Sequence, residues 1–158
     1  MNSAFNKLID EAIHLELKVS DLYLLFYRQF PDESQFWWEL SNEEENHAAL
    51  LKTIKLMGDV DIDIPKELFP KGIEDLIKAN LDIQAAYEDF EKHPDRTKAF
   101  QFAYRLETSA GEMHFNAFMT NTPGSAVSNV FKSLNGDDID HAERIRKFMI
   151  NHQIPLEE

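Results

Sequence analysis

Apolar residues recur along most of this chain at alternating steps of three and four, the spacing of one buried face of an α-helix. Proline and glycine cut the pattern into blocks. A first helix is predicted over 3–30, broken by Pro31-Asp32, and a second from Asp32 or Glu33 to Met57, ahead of Gly58. A connection containing Pro65 and Pro70 covers 59–72. A shorter amphipathic helix follows over 73–90, with Leu76, Ile77, Leu81, Ile83, Ala86 and Tyr87. His93-Pro94 separates it from a third long helix, 95–119, and Pro123-Gly124 introduces a fourth, 125–151. No strand-like alternation competes. The tight first and last links predict antiparallel neighbours, and the crossover between the second and third long helices carries the extra short one. The expected fold is all-α: a single domain over 1–158, a four-helix bundle of two antiparallel hairpins joined by a long crossover.

The informative residues are the polar ones on the apolar stripes. The first helix reads Ala12, Glu16, Val19, Tyr23, Phe26 and the second Leu40, Glu44, His47, Leu51, Ile54. The third gives Phe100, Tyr104, Glu107, Gly111, His114, Phe118 and the fourth Val127, Phe131, Leu134, Asp138, His141, Ile145, Phe148. Burying an unpaired carboxylate costs several kcal/mol, and no Lys or Arg stands on these stripes to neutralise them. Divalent cations would. Four carboxylates and two imidazoles suit a pair of metal ions, with carboxylates able to bridge. The i, i+3 spacing of Glu44 with His47, and of Asp138 with His141, places each pair on one face with Cβ atoms about 5–6 Å apart. The candidate metal ligands are therefore Glu16, Glu44, His47, Glu107, Asp138 and His141.

An internal repeat points the same way. The segment 40–48, LSNEEENHA, aligns with 134–142, LNGDDIDHA, and Ala12 and Glu16 match Ala103 and Glu107. Each hairpin supplies half of a site. A second Glu-x-x-His, Glu11 to His14, falls on the polar stripe Glu11, His14, Lys18, Asp21 and is expected to face water.

Composition narrows the class. Hydrophobic residues at 43% and charged residues at 28% fit a globular protein rather than a disordered one. A formal net charge of −13 argues against nucleic-acid and anionic-membrane partners, which select basic faces. With no cysteine, thiolate zinc sites, iron–sulfur clusters and a rubredoxin-type domain are excluded. No segment resembles a signal peptide or a membrane span, so a cytoplasmic location is expected.

At the six candidate ligands the sequence resembles the rubrerythrin branch of the ferritin-like superfamily, over nearly the whole chain. The resemblance implies two iron ions, with manganese an alternative. It also implies an oxidoreductase that reduces peroxide or activates dioxygen. Without a rubredoxin domain, turnover would draw on an external electron donor, rubredoxin-like or a flavoprotein. Two further positions depart from the family: Asp138 stands where a glutamate is usual, and Ala110 where an additional carboxylate follows the third-helix glutamate. Iron oxidation and storage in the manner of ferritins is the alternative function, and a small-molecule hydroxylase a third. A cage is disfavoured because cage-forming ferritins use a fifth C-terminal helix, and a haem-binding bacterioferritin because Glu45 stands where that family places methionine. Tyr23 and His114, seven residues past Glu16 and Glu107, are expected to support the site rather than ligate. The run Phe36-Trp37-Trp38 cannot all point inward, and its outer face is the candidate contact of a homodimer.

Overall fold

The computed structural model describes residues 3–57, 68–113 and 126–156. Among these residues the protein is all-α. Its helices are α1 (Ser3–Gln29), α2 (Ser34–Met57), α3 (Leu68–Lys92), α4 (Arg96–Met113) and α5 (Ala126–Asn151), with a single 3₁₀ turn, Pro31–Glu33, between α1 and α2. The chain packs as two units, 1–92 and 93–158. No described helix is long and apolar enough to cross a membrane.

In the first unit α1 packs against both α2 and α3. The α1/α2 contacts run in opposite senses: Asp10 meets Lys55, Glu16 meets His47, Ser20 meets Ser41 and Tyr23 meets Trp37. The hairpin is therefore antiparallel, as the short link requires. Proline at the first position of the 3₁₀ turn ends α1, and the Glu33 N–H donates to Phe30 O at 3.1 Å. The α3 contacts climb together with α1: Lys18 donates to Asn80 O, Arg28 to the Tyr87 hydroxyl and Gln29 to Phe90 O. Hence α3 runs in the same sense as α1.

Two expectations change here. The extra helix was expected over 73–90 but is 25 residues long and begins at Leu68, with Pro70 inside its first turn. There a missing N–H costs nothing, because the first-turn donors have no partner within the helix. The polar stripe of α1 is also not wholly solvated. His14 and Asp21 are exposed, but Glu11 and Lys18 lie partly under α3. The Asn80 amide donates to both the backbone and the carboxylate of Glu11, at 3.0 and 3.1 Å.

In the second unit α4 packs against α5, also antiparallel: Glu107 meets His141, and the Phe100 and Phe148 rings stack 4.8 Å apart. Asp95 caps α4, its carboxylate accepting from the Lys98 N–H at 3.0 Å. The end of α5 is closed by a Schellman arrangement. The Ile154 N–H donates to Met149 O at 2.9 Å and the Gln153 N–H to Ile150 O at 3.2 Å, with Gln153 left-handed at φ 56°.

Candidate metal centre

The antiparallel α1/α2 pairing sets Glu16 opposite the Glu44–His47 turn. His47 Nδ1 lies 3.1 Å from Glu44 Oε2 and 3.8 Å from Glu16 Oε2. The three residues offer ligand atoms within 4.8 Å of one another, and all three are buried. Burial alone lowers the pKa of an imidazole. Here the hydrogen bonds and negative charges of Glu16 and Glu44 outweigh it and push His47 from 6.5 up to about 11. The cluster thus creates a strong local preference for positive charge, and its helix neighbours Ala12, Val19, Leu40, Ala48 and Leu51 are buried.

The second unit sets a glutamate against a histidine in the same way. His141 Nδ1 lies 3.6 Å from Glu107 Oε2, and the side chains of both are almost wholly buried. Asp138 is buried one helical turn before His141, on the same face of α5. Leu40 and Leu134, and Leu51 and Ile145, are matching positions of the sequence repeat, and each is fully buried. The tandem similarity in the sequence is therefore matched by a similarity of burial. Buried carboxylates grouped with an imidazole are a donor set that could hold a metal ion.

Every stripe position of α1 and α2 singled out from the sequence is buried, including all three candidate ligands. In the second unit Phe100, Glu107, Leu134, Asp138, His141 and Ile145 are buried, while Tyr104 and Phe148 are half-buried. His114 and Phe118 lie outside the described residues, as do the surroundings of Ala110, Gly111, Val127 and Phe131. Of the aromatic run, Trp37 is fully buried and Trp38 is 47% exposed. Trp37 meets Tyr23 at 5.6 Å and Phe26 at 4.9 Å between ring centroids.

Sequence reasoning missed one polar feature beside the site. Ser20 and Ser41 are buried facing each other, each hydroxyl within reach of the other residue's carbonyl, with Oγ to Oγ 2.9 Å. Both are small and lie one turn from a ligand position, so the two helices approach closely there. The signal was present as two serines beside the apolar stripes, but serine alone does not reveal its partner.

No family model matches the chain, and no curated protein or solved structure matches it.

Proposed function

We propose that this chain is a rubrerythrin-like di-iron carboxylate protein, an oxidoreductase that reduces peroxide or activates dioxygen. In this reading the two hairpins form one ferritin-like four-helix domain, and α3 belongs to the crossover between them. The supporting observation is the repeated pairing: in both units a buried glutamate on one helix faces a buried histidine on its antiparallel neighbour, and a buried carboxylate precedes that histidine by three residues. A stable core does not keep such groups twice unless a cation pairs with them.

Glu16, Glu44, His47, Glu107, Asp138 and His141 would hold the two metals. Iron, when bound, supplies one-electron redox chemistry at each ion. The protein's part is to fix ligand geometry and to exclude bulk water with the apolar residues that flank each cluster. Electrons would come from an external donor, rubredoxin-like or a flavoprotein, and the assembly would be a homodimer in the cytoplasm.

Metal analysis after anaerobic loading, followed by stopped-flow oxidation, tests the proposal. Two ferrous ions per chain and oxidation faster with hydrogen peroxide than with oxygen are the expected results. Faster oxidation by oxygen with accumulation of ferric mineral would replace the reading with iron storage or detoxification. A chain that takes up neither iron nor manganese would overturn both.

A further inference from the structure

Between α1 and α3 of the first unit lies a cleft of about 390 Å³, a volume typical of small-molecule sites. Lys18, Asp21 and Arg28 line it from α1, and Ile83, Gln84 and Tyr87 from α3. Each set falls on one face of its helix by its spacing. The two helices run in the same sense, so those faces stay together along the cleft. Ile83, the buried member of the set, supplies an apolar floor, while Asp21, Arg28 and Gln84 are exposed at the rims. Two of the three charged residues here are basic, in a chain whose formal net charge is −13. Among the described residues neither base is paired with a carboxylate. Lys18 is half-buried against α3, and its Nζ donates to a backbone carbonyl, Asn80 O, at 3.0 Å. Arg28 Nη2 donates to the Tyr87 hydroxyl at 3.4 Å, long for a hydrogen bond. Both heads carry more N–H donors than these contacts use. From residue 18 to residue 28 an α-helix advances about 15 Å, so a ligand that touches both bases is elongated.

We propose that the α1/α3 cleft binds a small, elongated organic oxyanion. Its phosphate or carboxylate head is held by the Arg28 guanidinium and the Tyr87 hydroxyl, both of which can donate to it. Its apolar body lies over Ile83, and an oxygen at its far end accepts from Lys18. Asp21, the acid between the two bases in sequence, repels a ligand charged along its whole length and so disfavours polyanions. Residue 18 stands about 200° around α1 from Glu16, which puts the cleft and the carboxylate cluster on opposite sides of that helix. The inference therefore holds whether or not the cluster carries a metal.

Isothermal titration calorimetry on the full-length protein tests this. The phosphate probes are AMP and FMN, with adenosine and riboflavin as their uncharged counterparts, and adipate is the carboxylate probe. At least one of AMP, FMN and adipate should bind, and the head that binds more tightly identifies the anion as phosphate or carboxylate. For that probe Arg28→Gln and Lys18→Gln should each weaken binding by about tenfold, the loss expected for a hydrogen bond to a charged group. Tyr87→Phe should weaken it several-fold. Asp21→Asn removes a repelling charge and should tighten it, a gain that a damaged fold cannot imitate. His47→Ala should leave the affinity unchanged. The proposal is overturned if none of the three anions binds at millimolar concentration, or if adenosine or riboflavin binds as tightly as its phosphate. It is overturned equally if Arg28→Gln and Lys18→Gln both leave the affinity intact. Binding lost in His47→Ala but kept in Arg28→Gln would place the anion on a metal in the cluster and refute the cleft.

Discussion

His141 Nδ1 lies 3.6 Å from Glu107 Oε2. The same atoms of the equivalent pair in the other hairpin, His47 and Glu16, are 3.8 Å apart. Each histidine is thus set against the lone glutamate of the neighbouring helix, as well as following a carboxylate on its own helix. A cation held by such a set must compete with a proton on the imidazole, which makes metal binding and pH inseparable.

For His47 the sign is clear. Its pKa in the folded protein, about 11, lies above the unfolded value of 6.5. The stabilisation from its charged form is therefore fully present below pH 6.5 and is lost as pH rises toward about 11. Urea midpoints of chelator-treated protein should fall across that window, and His47→Gln should lack that component. A cation must displace the same proton, so loading at neutral pH should release acid into a weakly buffered solution. A flat midpoint in the wild-type protein would contradict the ion pairing seen here.

Metal should raise thermal stability. A ligand at a hundred times its dissociation constant stabilises the state that binds it by about 2.7 kcal/mol. For a chain of this size that corresponds to a rise in Tm of roughly 5–10 °C. Ferrous or manganous ion should produce such a shift in the chelator-treated protein, and His47→Ala and His141→Ala should each reduce it. Calorimetry that shows no shift at saturating metal would count against a resident cation.

The candidate site was more legible in the sequence than its surroundings. Carboxylates and imidazoles on an apolar stripe are conspicuous because charge is costly in a core, so Glu16, Glu44, His47, Glu107, Asp138 and His141 stand out without any knowledge of the fold. The start of α3 is hard to read from sequence because Pro70 looks like a breaker, yet within a first turn it removes no helical hydrogen bond. The partial cover over Glu11 and Lys18 was invisible for another reason. Their partner is the polar Asn80, and a polar-to-polar contact between helices leaves no hydrophobic signature on either.

Gly136 sits within α5, is exposed, and a methyl group at its Cα would meet nothing within 4 Å. No close approach or left-handed backbone requires glycine there. Gly136→Ala should stabilise the protein by about 1 kcal/mol through helix propensity. The rise in Tm should be roughly 2–4 °C. A loss of stability on this substitution would show that α5 must bend at that point.

At the other end of α5, Gln153 holds a left-handed conformation that costs a residue with a Cβ about 1–2 kcal/mol. Gln153→Gly should raise stability by somewhat less than that, because glycine also loses more entropy on folding. Gln153→Val should lower it, since a β-branched residue tolerates positive φ poorly. Opposite shifts in the two denaturation curves are the expected result, and equal ones would rule out strain at the cap.

Asp138 gives the sharpest test of how the two halves differ. It occupies the place of Glu44 in the repeat and is buried like it, but its side chain is one carbon shorter. A shorter arm reaches a metal between helices only if α5 approaches more closely or the bond is longer. The leucines four residues before Glu44 and Asp138 are both fully buried, which leaves little room for one helix to slide closer while its packing is kept. Under the two-metal proposal, coordination on the Asp138 side should therefore be weaker, and the two metals should bind with unequal affinity. A calorimetric titration of the metal-free protein with manganous ion should therefore show two steps. Asp138→Glu should leave the tighter step in place and move the weaker one toward it, while Glu44→Asp should weaken the tight step. Two equally tight sites in the parent protein would mean that the missing methylene is absorbed by carboxylate geometry alone, and the asymmetry argued here would fall.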